Sequence, residues 1–289
     1  MFNELLALIA ETASLAFLPR TKRLAEFVNE TDGILDIIQQ VGIIPESIDH
    51  DSSEEKVFAK ISDAVLSRTF RELGLKSTLI IERADVADVI AESQIHGYSL
   101  VADAKAFRMS RTAKNQKDFK VTSLSGWRKD HNYAVLCSSF FQYPRKQSQI
   151  YKQATDYNVA LISWEHLILL LKYNIKETDN LNLGHIWNYC EQLSQQIVVA
   201  ESKRCFIPKF NQFLADYLHF TQNEFAELIN TQIEIIESRG NIERGYLERQ
   251  KTEIMSYSHE KAISELIKSK KIDEKIGQIE SFVKGLRDA

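Results

Sequence analysis

The segment Val101 to Phe107, VADAKAF, constrains this chain more than any other. Small alanines at 102, 104 and 106 alternate with Val101, Asp103, Lys105 and Phe107. Strand side chains repeat every second residue, so Asp103 and Lys105 project from one face, about 7 Å apart along the strand. The alanines turn to the other face, where a close-packed layer can cover them. An acid and an amine on a half-buried strand are costly unless they pair or bind something.

The next residues change the balance of charge. Between Lys105 and Lys120 the basic residues are Lys105, Arg108, Arg111, Lys114, Lys117 and Lys120, opposed by Asp118 alone. That is a local charge of +5 in a chain of net charge −4, so the remainder sums to −9. Ser110, Thr112, Asn115 and Gln116 are interleaved and can bond phosphates or base edges. Such a composition fits a surface that approaches nucleic acid.

Other classes of function find little support. No apolar run reaches the roughly 18 residues of a membrane span. The apolar N-terminus carries Glu4 and Glu11 and no basic lead, which favours an amphipathic helix over a signal peptide. Cys137, Cys190 and Cys205 have no CxxC spacing and read as core residues of a reducing cytoplasm. The histidines form no HExxH or HxxxH pair, and the absence of GxxxxGK[ST] argues against an ATP-driven enzyme.

Along the chain, residues 2–41 read as two helices, broken by Gly42 and Pro45. His50-Asp51-Ser52-Ser53 is a helix-start signal, and the helix that follows should end near Leu73-Gly74. Glu54 and Glu55 in its first turn complement the helix dipole. Leu79–Glu82 reads as a short strand. Tyr133–Leu136 and Val159–Ser163 read as buried strands, with a helix at Ser148–Asp156 between them. Beyond Leu167 the pattern is almost wholly helical. The expected class is α/β, a mixed central sheet flanked by many helices, with residues 1–289 forming one domain.

SLVADAKAFRMSRTAKNQKDFKV resembles the central segment of the HindIII family of type II restriction endonucleases, within the PD-(D/E)xK nuclease class. The likeness extends to GIIPESI, EKVF, FFQYP, SQIYKQ and SWEHL, covers the middle half of the chain well, and loosens in the C-terminal third. The resemblance implies Mg²⁺-dependent hydrolysis of double-stranded DNA with no nucleotide cofactor. By its register, Asp88 and Asp103 are metal ligands, the Ala104 carbonyl is a third, and Lys105 assists the attacking water. Ala87 stands where the class motif has proline, and Asp85 competes with Asp88 for the first acid. Glu55 is a further catalytic candidate, since helices at this position in the class can lend a carboxylate.

Within the basic segment, Arg108, Arg111 and Lys114 suit phosphates, while Asn115, Lys117 and Asp118 suit adenine, guanine and cytosine edges. The resemblance points to the palindrome AAGCTT or a close relative, and so to a homodimer. Residues 1–50 would form a helical N-terminal part, 51–167 the catalytic and DNA-reading core, and 168–289 a helical elaboration. Two alternatives stay open: a structure-specific repair nuclease of the same class, and a non-cleaving DNA-binding relative.

Overall fold

The computed structural model describes residues 1–81, 86–111, 116–144 and 147–285, arranged as two compact units of residues 1–240 and 241–289. The first unit opens with α1 (Phe2–Glu11), α2 (Phe17–Glu30), α3 (Ile34–Val41), β1 (Ile43–Ile44) and α4 (Ser53–Glu72). Strands β2 (Lys76–Leu79), β3 (Val89–Glu92), β4 (Ser99–Lys105) and β5 (Phe107–Arg108) follow. Then come α5 (Gln116–Phe119), α6 (Val121–Trp127), β6 (Tyr133–Ser138), α7 (Gln149–Asp156), β7 (Val159–Ser163) and α8 (Trp164–Lys172). The helical remainder comprises α9 (Gly184–Trp187), α10 (Tyr189–Gln196), α11 (Ser202–Leu218), α12 (Gln222–Met255), α13 (His259–Ser269) and α14 (Ile272–Gly285).

The central sheet has the order β2-β3-β4-β6-β7. Its first three strands are antiparallel neighbours, whereas β6 and β7 continue from β4 in parallel. The mixed sheet flanked by helices agrees with the sequence reading. The two strands that continue the sheet from β4, β6 and β7, are apolar on both faces, as strands covered by helices must be: Ala134 to Cys137 and Val159 to Ile162 are all buried.

Helix α4 is the strut against this sheet. Ser52 caps it by accepting a hydrogen bond from the Glu55 amide at 3.1 Å, and it ends before Gly74, whose φ of +90° suits glycine. Val57, Phe58, Ile61, Val65, Leu66 and Phe70 bury one side of it. Buried Arg20 of α2 ties the N-terminal helices to it, donating to the Ile9 carbonyl at 2.6 Å and to Glu54 at 3.2 Å.

Two expectations need correction. Residues 2–41 form three helices, because Thr31 turns extended (ψ 137°) and its hydroxyl accepts from the Gly33 amide at 3.2 Å, ending α2 before Ile34. The strand expected at Leu79–Glu82 lies earlier, at Lys76–Leu79, in register with Val89–Glu92. Its last residue in that expectation, Glu82, lies outside the described residues.

Candidate active site

The sheet opens at the C-terminal end of β4. Pairing of β3 with β4 stops at Val89 opposite Ala102, so β4 runs three residues further with only β6 beside it. Asp88 immediately precedes β3, and Asp103 lies just past the last paired residue. The two carboxylates are thereby brought to one place, although fifteen residues separate them in the chain. Ala104 would leave a buried amide, and Asp63 of α4 satisfies it by accepting its hydrogen bond at 2.9 Å.

Asp63, Asp88 and Asp103 each place an oxygen within 4.8 Å of the others. Asp63 and Asp103 are 4% and 2% exposed, and Asp88 is half-buried. Two amines accompany them. Lys105 pairs with Asp103, and Lys60, one turn before Asp63 on α4, pairs with Asp88. Burial pushes the Asp63 carboxyl well above the usual carboxylate range, and the neighbouring charges of Asp88 and Asp103 push it further. Burial also raises Asp103, against the opposing pull of Lys105. Burial works to discharge Lys105, but Asp103, with Asp63 and Asp88 behind it, outweighs this and holds its ammonium pKa above the ordinary lysine value.

The structure thus brings Asp88, Asp103 and Lys105 together and adds Asp63 and Lys60. Glu55 is not in this cluster. Its carboxylate pairs with Arg108 at 2.9 Å and accepts from the Asp51 amide at 2.7 Å. Arg108 itself is buried and also donates to the Pro45 carbonyl at 2.8 Å, a clamp between β5 and the α4 N-terminus instead of a free surface cation. Arg111 and Asp118 are ion-paired at 2.7 Å. Lys114 and Asn115 lie outside the described residues, as does Asp85, and Lys117 is exposed on α5. The segment is anchored by Phe119, which stacks on Tyr143 and meets Phe107 edge-on. Lys120, in the left-handed conformation after it, also acts electrostatically on Asp103.

The donor set of the cluster is all carboxylate oxygen, suited to a hard divalent cation and not to a thiolate- or imidazole-seeking one. Two ammonium groups against three acids leave one negative charge uncompensated in a buried place, which such a cation would relieve. The residues fit the group.

Comparison with known proteins agrees with this geometry. The family model described as HindIII restriction endonuclease matches residues 3–283. The type II restriction enzyme HindIII of Haemophilus influenzae is 40% identical over 287 residues, covering 99% of this chain and 96% of that protein.

Raised carboxyl pKa values mean that, above about pH 4, the metal-free folded protein binds more protons than the unfolded chain. These groups therefore contribute stability in acid that is lost as pH climbs through their raised values. In EDTA at pH 8, Asp63→Asn should melt roughly 2–4 °C above wild type, the shift that about 1 kcal/mol brings in a domain of this size. The gap should close toward pH 4. Melting curves that coincide at both pH values would show that Asp63 carries no such strain.

Proposed function

The chain belongs to the HindIII restriction endonuclease family, and from that premise we propose that it makes Mg²⁺-dependent, ATP-independent double-strand cuts at AAGCTT or a closely related palindrome. The observation that carries this reading is the cluster of Asp63, Asp88 and Asp103 with Lys105 at the open end of β4. A binding protein gains nothing from three mutually repelling, largely buried acids, whereas a phosphodiesterase needs them. The same absence of use argues against the non-cleaving alternative.

Asp88, Asp103 and Asp63 would hold the divalent ion, with the Ala104 carbonyl as a backbone donor. Bound there, the ion supplies Lewis-acid relief of phosphate charge and lowers the pKa of a coordinated water. Lys105 stays protonated, so it orients the attacking water and offsets negative charge in the transition state instead of acting as a base. Lys117, Asp118 and Asn115 are the proposed base readers and Arg111 and Lys114 the phosphate contacts. Arg108, held by Glu55 and Pro45, instead keeps that segment in register with α4.

A palindrome calls for a two-fold symmetric dimer, and the unit 241–289 offers a surface for it. Among its described residues no apolar side chain is buried. Ile263 and Leu266 of α13 and Ile272, Ile276 and Ile279 of α14 are all exposed at helical spacing. Helices of this length rarely persist in water without packing. Acids and bases in the unit nearly cancel, which disfavours DNA or an anionic membrane as the covering partner and leaves a second copy of the chain. Ten large apolar side chains between 37% and 77% exposed are on the scale of the roughly 800 Å² per partner of a standard interface.

Asp103→Asn should abolish cleavage of an AAGCTT duplex while leaving specific binding, measured by gel shift in Ca²⁺, largely intact. Normal cutting by that variant would remove Asp103 from the centre of the reaction. In sedimentation, the wild type should have the mass of two chains and the Ile276→Asp/Ile279→Asp double variant that of one. A variant that remains dimeric would place the interface elsewhere.

A further inference from the structure

Beside the triad of acids sits an amine that the family motif does not require. Lys60 is 9% exposed, on the face of α4 that also presents Asp63, and its Nζ bonds an Asp88 oxygen. The pairing is specific. Lys105 serves Asp103, Lys60 serves Asp88, and Asp63 has the Ala104 amide. Each acid therefore has a partner of its own, and these pairs offset the repulsion among three carboxylates within 4.8 Å.

We propose that Lys60 is a resident counter-cation of the metal site, occupying an oxygen of Asp88 until a divalent ion displaces it. This rests on the reading that Asp63, Asp88 and Asp103 hold such an ion. Charge explains the exchange. Three acids against two ammonium groups leave one negative charge, which draws a divalent ion in. An ammonium sharing a carboxylate oxygen with that ion is repelled by it at contact distance and withdraws. Asp88 is the acid open to an arriving ion, its side chain 35% exposed against 3% for Asp103, so the amine seated on its oxygen, Lys60, is the one the ion meets.

Lysine suits this role physically. Its charge is compact and sits on a flexible four-carbon stem, so it can leave one oxygen without disturbing the backbone. A fixed hydrogen-bond donor would hold Asp88 permanently. A neutral residue would leave Asp88 facing two other acids with no compensation, and α4 would be pushed away from β4. Lys60 thus keeps the site assembled in the absence of metal and lowers its affinity for the ion that replaces it.

The test uses Mn²⁺ as the probe on the full-length protein without DNA. Calorimetric titration should show Lys60→Gln binding Mn²⁺ more tightly than wild type, roughly tenfold, the size of an ordinary coupling between two ligands of one site. In EDTA its melting temperature should lie below that of wild type, and the gain on adding Mn²⁺ should be larger. Lys60→Arg, which retains a cation, should bind Mn²⁺ no more tightly than wild type and shows whether a loss of fold, instead of a loss of charge, moves the result. Unchanged or weaker Mn²⁺ binding in folded Lys60→Gln would overturn the inference. Asp103→Asn separates the two levels of failure. If it loses Mn²⁺ binding while Lys60→Gln equals wild type, only the role of Lys60 falls. If wild type itself binds no Mn²⁺, the metal reading falls and the inference with it.

Discussion

Three carboxylates within 4.8 Å of one another, two of them buried, repel each other, and the arrangement of the first unit follows from containing that repulsion. Desolvation and mutual charge both act against ionisation. Separate elements supply the compensation: β4 contributes Lys105, and α4 contributes Lys60. The backbone of β4 contributes an amide to Asp63 because no neighbouring strand claims it. Relaxing any one of these would leave a buried charge uncovered. The assembly resembles a strained hinge less than a set of paired opposites with one acid in excess, and that excess gives it an appetite for a hard cation.

The sheet topology is what makes the convergence possible. An antiparallel pair that ends early, followed by a parallel neighbour that continues, exposes the tip of β4 on one side while holding it firmly on the other. The chain then turns directly into β5, which pairs with β1 and is locked to the start of α4 through Arg108, Glu55 and the Pro45 carbonyl. The same helix therefore fixes both the acid cluster, through Asp63, and the start of the basic segment, through Glu55. One strut thus holds both the acid cluster and the start of the basic segment.

Much of this was legible in the sequence, for reasons that differ by residue. The period-two alternation of VADAKAF requires a strand, and Asp103 and Lys105 do share its end. The Ser52 cap and Gly74 stop bounded α4 within a residue, because capping chemistry is local. Asp63 and Lys60 were not legible. They lie at helical spacing beside Val57, Ile61 and Ala64, where polar residues ordinarily form a solvated face, and only the approach of β4 buries them. Glu55 illustrates the converse. The family resemblance made it a catalytic candidate, whereas its carboxylate accepts from the Asp51 amide and pairs with Arg108. Arg108 looked like one more cation in a basic run, since nothing local in the sequence reveals that Pro45 and Glu55 enclose it. Tertiary approach, not composition, separates these cases. The short break at Thr31 was missed because Ile34, Ile37 and Ile38 continue the apolar period of α2 across it.

The measurement closest to the centre of this account is digestion of phage DNA of known sequence by the purified protein, in Mg²⁺ and in EDTA. Discrete fragments that appear only with Mg²⁺ and whose ends map to AAGCTT are the expected result. Intact DNA under both conditions, or the same fragments in EDTA, would contradict a metal-dependent nuclease built on Asp63, Asp88 and Asp103.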